Sequence, residues 1–304
     1  HTLSMTTHRP KDRTMTQIIT ALSDVSDRYD ALFVDLWGCV HNGVTAFPDA
    51  VAALQAYRKT GGTVVLVTNA PRPRASVTTQ IAKMGVPDDA WDTIATSGDS
   101  ARTAMYRGAV GQKVFFIGES RDTNFFDPIG VVDEPVDIQI VPLEEAEGIV
   151  CTGPFDPMAD IDDLRPQLLY AKQKGMKLLC ANPDIVVDRG DVREWCAGAV
   201  AKLYTEMGGE SLYTGKPHPP IYDLARLRLG EINRKTDSAS ILAIGDGVLT
   251  DIQGAQGEDI DSLFISGGLA AEETKTETQP DADALQTYLD REMVNPTYTI
   301  GFLR

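Results

Sequence analysis

Short apolar runs alternate with stretches of helical periodicity along this chain. Leu32 to Trp37, Val64 to Asn69, Val114 to Ile117, Ile149 to Thr152, Leu178 to Asn182, Ile241 to Asp246 and Leu263 to Ser266 read as buried strands. Asp49 to Lys59 carries apolar residues at helical spacing, and Gly61-Gly62 stops it. The acidic, Thr-rich stretch from Ala270 to Ala282 reads as a solvated loop before a last helix, Asp283 to Met293. Such alternation predicts an α/β protein with mostly parallel sheets.

Several of the strand runs end in a polar residue followed by Gly, Pro or Asn. Ligands of open α/β sheets sit at the carboxyl ends of strands, so Asp35, Thr68, Asn69 and Asp246 are expected to meet in one crevice. The run Phe33-Val34-Asp35-Leu36-Trp37-Gly38 is the most pointed case, because a carboxylate ending a buried strand is expensive unless a cation or a reaction needs it.

Composition narrows the partners. The 304 residues are 42% hydrophobic, ample for one large core or two moderate ones. With 28 basic against 44 acidic residues the net charge is −16, which disfavours nucleic acid and anionic membranes and leaves any anionic substrate to local donors. Cys39, Cys151, Cys180 and Cys196 form no CxxC pair and read as small buried thiols, in keeping with a reducing cytoplasmic setting. No apolar stretch approaches about 18 residues and no signal core is evident. His1 to Ser4 ahead of Met5 read as an appended remnant, with Met5 or Met15 as the native start.

Four pieces bear the chemistry: Asp35-Leu36-Trp37-Gly38-Cys39-Val40, Val67-Thr68-Asn69, Thr214-Gly215-Lys216-Pro217, and Ile244-Gly245-Asp246-Gly247 continuing to Asp251. Singly, each reads as an ordinary turn or bend. Together and in this order they resemble the four motifs of the haloacid dehalogenase superfamily, over nearly the whole chain. The resemblance implies a doubly wound, Rossmann-like parallel-sheet core. It also implies phosphoryl transfer to Asp35 as nucleophile, with Mg2+ held by Asp35, the Trp37 carbonyl and Asp246. Asp251 is then a further metal-site residue that ligates or orients a ligand. By the same similarity Thr68 holds a phosphate oxygen, and Lys216 neutralises another while tethering Asp35.

Roughly 145 residues separate the second and third pieces, far more than a connecting loop. Their own strand and helix alternation, from about Tyr106 to Glu206, resembles the C2-type cap of class IIA members, which include p-nitrophenyl phosphatase-like and NagD-like nucleotidases. Ala95-Thr96-Ser97-Gly98 and Ala181-Asn182-Pro183-Asp184 add to the likeness. The expected division is core 1–104, cap 105–208 and core 209–304. Asn69, Thr96, Ser97, Asn182, Asp184 and His41 are candidate substrate contacts. A small phosphorylated metabolite is the expected partner, with two copies pairing through the cap.

Trp37 breaks the pattern. Phosphatases of the superfamily usually carry a second aspartate there, which protonates the leaving group, and losing a general acid–base costs about 10²- to 10⁴-fold. Three readings remain: a phosphatase with another donor or an undemanding leaving group, a non-catalytic phosphate-ligand binder, and a metal-independent dehalogenase. The Gly245-Asp246-Gly247 motif with Asp251 favours magnesium over the last. His41 is a candidate proton donor, the alternative being a flap residue bonded to backbone, and His218 is structural or substrate-contacting. Trp37 itself packs the site shut or stacks on a planar substrate. Trp195 and Tyr204 fall on a helical pattern in the cap and read as core or cap-interface residues.

Overall fold

The computed structural model describes residues 15–130, 132–232 and 240–304. His1 to Ser4 and Met5 lie outside the described residues. The first half of the chain runs through β1 (Gln17–Ile18), β2 (Ala31–Val34), α1 (Pro48–Lys59), β3 (Thr63–Thr68), α2 (Arg74–Lys83), β4 (Thr93–Thr96), α3 (Ser97–Tyr106), β5 (Lys113–Ile117), β6 (Gln139–Ile140) and β7 (Gly148–Cys151). The second half adds α4 (Arg165–Gln173), β8 (Lys177–Cys180), β9 (Val186–Arg189), β10 (Val192–Trp195), α5 (Ala197–Glu206), β11 (Glu210–Tyr213) and α6 (Pro219–Gly230). It ends with β12 (Ile241–Gly245), α7 (Gln253–Gly257), β13 (Asp261–Ile265), α8 (Ala282–Glu292) and β14 (Tyr298–Ile300).

These strands form two parallel sheets and one hairpin. A seven-stranded sheet has the order β1-β14-β13-β12-β2-β3-β4 and draws on both ends of the chain. A five-stranded sheet, β11-β8-β7-β5-β6, comes from the insertion, and β9 pairs antiparallel with β10. All seven predicted strands are present.

The larger sheet is covered on both faces, which is why its strands read as continuous apolar runs. Leu32, Val34, Val64 and Leu66 pack with Leu54 and Tyr57 of α1 and Val77 and Ile81 of α2. Their neighbours Ala31, Phe33, Val65 and Val67 face Ile221, Tyr222, Ala225 and Leu229 of α6 on the other side. Each large apolar side chain so buried contributes roughly 1.5–3 kcal/mol. The core thereby holds in place the strand whose next residue is Asp35. In the smaller sheet, Ile149, Cys151, Leu178 and Cys180 pack against α4 and α5, while Val114, Val150 and Leu179 pack against Ala101 and Met105 of α3.

Three expectations shift. The boundary at 208/209 moves past Tyr213, because Glu210–Tyr213 pairs with β8 and forms the edge of the inserted sheet. The boundary at 104/105 falls inside α3, which packs against both β4 and β8. The stretch before α8 is a loop with mostly exposed residues, but it is pinned at one point: Thr274 is fully buried and its hydroxyl is bonded to Ala270 O, Ser266 O and Thr276 Oγ1. The four cysteines are free, buried thiols. Among the described residues no helix is long and apolar enough to cross a membrane.

Candidate active site

The order in which strands are added reverses at the β12-β2-β3 junction of this parallel sheet, which sets the crevice. Chain growth proceeds from β2 to β3 and β4 on one side, then returns to β12 on the other. Asp35 follows β2 directly and donates its N–H to Ile244 O at 2.9 Å, so the residues after β2 and β12 emerge side by side. Thr68 ends β3, the neighbour on the other side.

Lys216 ties these ends together. It lies between β11 and α6, and its Nζ donates to Asp35 Oδ1 at 2.6 Å, Asp251 Oδ1 at 2.7 Å and Val67 O at 2.8 Å. An ammonium has three protons, so all are engaged. Burial opposes the charge, but the Asp251 and Asp35 carboxylates hold its pKa well above the usual lysine value. Lys216 is thus a tether for Asp35 rather than a direct donor to a phosphate oxygen, which refines its expected role. Asp35 itself is pushed up to about 7 by burial and the Asp251 charge, with Lys216 pulling the other way.

Asp246 makes the second half of a cation site. One ligand atom each of Asp35, Cys39 and Asp246 lie within 4.8 Å of one another. Burial, then the charges of Asp35 and Asp251, push the Asp246 pKa far up, so without a cation this carboxylate is poorly compensated. Its Oδ2 accepts the Leu269 N–H at 3.0 Å, and the Trp37 carbonyl accepts no hydrogen bond among the described residues. Gly38, at φ +74, and Gly268 make room, since a Cβ on either would run into the Asp246 carboxylate. Two carboxylates and a free carbonyl are the oxygen donors that a hard divalent ion takes. Cys39 was not foreseen here. Burial, followed by the Asp246 charge, keeps its thiol protonated, and sulfur is a soft donor, so it packs the floor of the site.

Of its two expected roles Asp251 takes the orienting one. It stands on a π-helical turn, Val248–Ile252, where Oδ1 meets Lys216 and Oδ2 accepts the Gly247 N–H at 3.0 Å. Both oxygens are engaged and it is not part of the cation cluster, so it holds the lysine instead of a metal.

Donors for an anion surround Asp35. Thr68 Oγ1 accepts the Ala70 N–H at 3.2 Å and keeps its own proton to give. The N–H groups of Leu36 and Trp37 have no acceptor among the described residues. Asn69 accepts the Lys216 N–H at 2.8 Å on Oδ1 and donates Nδ2 to Asp184 Oδ1 at 2.9 Å, joining core to insertion.

The insertion closes these residues into a cavity of about 760 Å³. Asp35, Trp37, Thr68, Asn69, Lys216, Asp246 and Asp251 line it from the core, Asn182 and Asp184 from the loop after β8, and Arg189 from β9. Asn182 Oδ1 accepts the Asp184 N–H at 3.0 Å, which shapes that loop. The Trp37 indole packs on the core, edge-on to His41 with centroids 5.2 Å apart, and also lines the cavity.

Four candidate residues, His41, Thr96, Ser97 and Trp195, do not take the places expected of them. His41 is 1% exposed, does not line the cavity, and its Nδ1 accepts the Gly43 N–H at 2.9 Å. Burial, then the Arg189 charge, lowers its pKa to about 4, so it is a neutral flap residue. Thr96 caps α3 by accepting the Asp99 N–H at 2.9 Å, and both Thr96 and Ser97 are fully buried away from the cavity. Trp195 is on a strand of the β9–β10 hairpin, not a helix, and lines the cavity. His218 fits its structural or substrate-contacting reading: it stands at the N-cap position of α6, lines the cavity and stacks on Tyr213 with centroids 5.0 Å apart.

Comparison with known proteins agrees with this geometry. Residues 32–132 match the family model of haloacid dehalogenase-like hydrolases, and residues 213–290 match a HAD-hydrolase-like model. A haloacid dehalogenase-like family hydrolase from Brucella suis superposes with a TM-score of 0.82 at 39% identity, over 94% of this chain and all of that one. D-glycerol 3-phosphate phosphatase of Mycobacterium tuberculosis is 24% identical over 251 residues, 82% of this chain and 66% of the relative, so the chain spans about two thirds of that protein. Glycerol-3-phosphate phosphatase of Homo sapiens is 25% identical over 244 residues, covering 73% of this chain and 74% of the relative.

Proposed function

Because the chain belongs to the haloacid dehalogenase-like hydrolase family, we propose that it is a magnesium-dependent hydrolase of a small phosphate monoester, of the sugar phosphate or nucleotide class, acting through an aspartyl phosphate on Asp35. The observation that carries this reading is the grip of Lys216 on Asp35 and Asp251, with Asp246 beside them. That arrangement orients one carboxylate oxygen for attack and leaves a second carboxylate for a cation.

Asp35, Asp246 and the Trp37 carbonyl are the groups that would hold magnesium, which supplies positive charge beside the nucleophile and the transferring phosphoryl group. Lys216 fixes Asp35 Oδ1, so Oδ2 is the attacking atom. The Thr68 hydroxyl and the Leu36 and Trp37 N–H groups take phosphate oxygens, stabilising charge that grows in the transition state. The insertion supplies the lid that excludes water and selects the leaving group. A metal-independent dehalogenase has no use for the buried Asp246, which supports magnesium. Pairing of two copies through the insertion and a cytoplasmic location complete the proposal.

The test is phosphate release from sugar phosphates, nucleotides and p-nitrophenyl phosphate, with and without magnesium. The proposal expects turnover with the cation and none after chelation. Undiminished phosphate release after chelation removes the magnesium requirement. Halide release from a haloacid without phosphate release points to the dehalogenase reading, and magnesium-dependent ligand binding without turnover points to the binding protein.

A further inference from the structure

Trp37 leaves the leaving group without the usual acid, and the cavity contains one carboxyl placed to replace it. Asp184 belongs to the loop after β8 and reaches the cavity from the insertion, whereas the nucleophile reaches it from the core. A leaving group departs away from its nucleophile, toward the lid side. Apart from Asp246, every other carboxylate lining the cavity is ion-paired among the described residues.

Asp184 is held firmly. Its Oδ1 accepts Asn69 Nδ2 at 2.9 Å, its N–H donates to Asn182 Oδ1 at 3.0 Å, and its carbonyl accepts the Gly198 N–H at 3.1 Å. Oδ2 has no hydrogen-bond partner among the described residues. Asn69 also accepts the Lys216 N–H, so the carboxyl is registered to the same residues that orient Asp35. The histidines offer no rival. His41 does not line the cavity, and His218, whose pKa burial lowers, is neutral and stacked on Tyr213.

We propose that Asp184 is the general acid and base of this site, through Oδ2, in place of the aspartate that Trp37 replaces. The inference rests on the phosphatase reading. In the first step a lone pair of Asp35 Oδ2 forms the bond to phosphorus while the phosphorus–oxygen ester bond breaks. The ester oxygen takes the proton of Asp184 and leaves as the alcohol. In the second step Asp184, now a carboxylate, takes a proton from water as the water oxygen attacks phosphorus. The bond to Asp35 breaks, phosphate departs, and Asp184 is protonated again.

The surroundings of Asp184 favour the protonated form. Burial raises its pKa above the usual carboxylate value, the Asp251 charge adds to the rise, and the Asn69 hydrogen bond and Lys216 charge oppose it. The thiols of Cys180 and Cys196, both held protonated by burial, and the Asp35 carboxylate are the other titratable groups facing it.

The test compares an alkyl ester, glycerol phosphate, with p-nitrophenyl phosphate, whose leaving group departs without a proton. Both are assayed with magnesium in wild type, Asp184→Asn and Asp184→Glu. Asn keeps an acceptor for Asn69. The expected result in Asp184→Asn is a fall of about 10²- to 10⁴-fold in kcat/KM on glycerol phosphate. The fall in kcat/KM on p-nitrophenyl phosphate stays within about tenfold, because kcat/KM reports the step that expels the leaving group. It does not report the hydrolysis of the aspartyl phosphate that both esters share, whereas kcat falls on both. Asp184→Glu, which keeps the acid, holds the ratio of the two rates near wild type. Equal losses in kcat/KM on both esters in a variant with wild-type circular dichroism, or no loss on either, overturn the inference while leaving the phosphatase reading in place. Wild-type protein inactive on both esters overturns the phosphatase reading and the inference with it.

Discussion

The Arg189 guanidinium lies over the Trp37 indole, 5.5 Å from the ring centre. Arg189 comes from the hairpin of the insertion, where Glu194 holds it at 3.1 Å, and Trp37 stands two residues beyond the proposed nucleophile. The residue that displaces the usual acid is therefore a docking platform for the lid.

Such a contact contributes about 0.5–1 kcal/mol at a partly exposed site. Arg189→Ala is expected to loosen the closed lid and raise KM about two- to five-fold, with a smaller effect on kcat. Steady-state kinetics on the best ester of the panel check this, and an unchanged KM would show that the contact does not contribute to closure.

Asp35 and Asp246 crowd two carboxylates against a single ammonium, and Lys216 has no proton left for Asp246. Magnesium is therefore expected to stabilise the folded chain, by about 2.7 kcal/mol at a hundredfold excess over Kd. Asp246→Asn is expected to lose that gain while folding normally. Thermal melts with and without the cation read both effects.

Asp35→Asn and Lys216→Ala separate chemistry from structure. An amide at position 35 is not a nucleophile, so turnover disappears while the fold and phosphate binding persist. Removing Lys216 strips the compensating charge from Asp35 and Asp251 and leaves Val67 O without its donor. That variant is expected to lose about 3–5 kcal/mol of stability as well as activity. Denaturant unfolding beside phosphate-release assays distinguishes the two.

Much of this site is legible from strand ends. Asp35, Thr68 and Asp246 each close an apolar run, and the parallel-sheet pattern alone brings them to one edge. Lys216 and Asp251 are legible only through the resemblance of their motifs to those of the superfamily. Side-chain direction past a strand end is not legible in this way: Thr96 and Ser97 look like Thr68 and Asn69, yet Thr96 turns back to cap α3. The lid contacts were hidden for another reason. Arg189 over Trp37 and Asn69 on Asp184 join segments more than a hundred residues apart, and only the docking of the insertion pairs them. The short edges β10 and β11 lack apolar runs because they are exposed or half-buried, which is why Trp195 read as helical.

His41 makes stability sensitive to acid. Its folded pKa of about 4 lies below the ordinary value of 6.5, so between those limits the unfolded chain binds more protons than the folded one. The stabilisation is complete above pH 6.5 and is lost as pH falls toward 4, about 3 kcal/mol in all. His41→Asn, which keeps an acceptor for the Gly43 N–H, is expected to flatten that part of the profile. Urea midpoints at pH 7, 5.5 and 4.5 follow the change, and an identical slope in the variant would place the acid sensitivity elsewhere.

Restoring the missing carboxylate tests what Trp37 costs. If Asp184 already provides the proton, Trp37→Asp in the wild-type background adds a redundant acid. It also removes the platform for Arg189, so the rate on glycerol phosphate should not rise. In Asp184→Asn the same substitution should act differently, since position 37 is where the superfamily usually carries its acid and the Trp37 backbone carbonyl is unaffected by the side-chain change. There kcat/KM on the alkyl ester is expected to recover by at least about tenfold of the 10²- to 10⁴-fold lost, while kcat/KM on the aryl ester changes little. A double-mutant cycle on the two esters gives the answer as a coupling term. Strong acceleration by Trp37→Asp alone, with no dependence on residue 184, would mean that the wild-type site runs without an acid and that its natural esters have leaving groups that depart as anions.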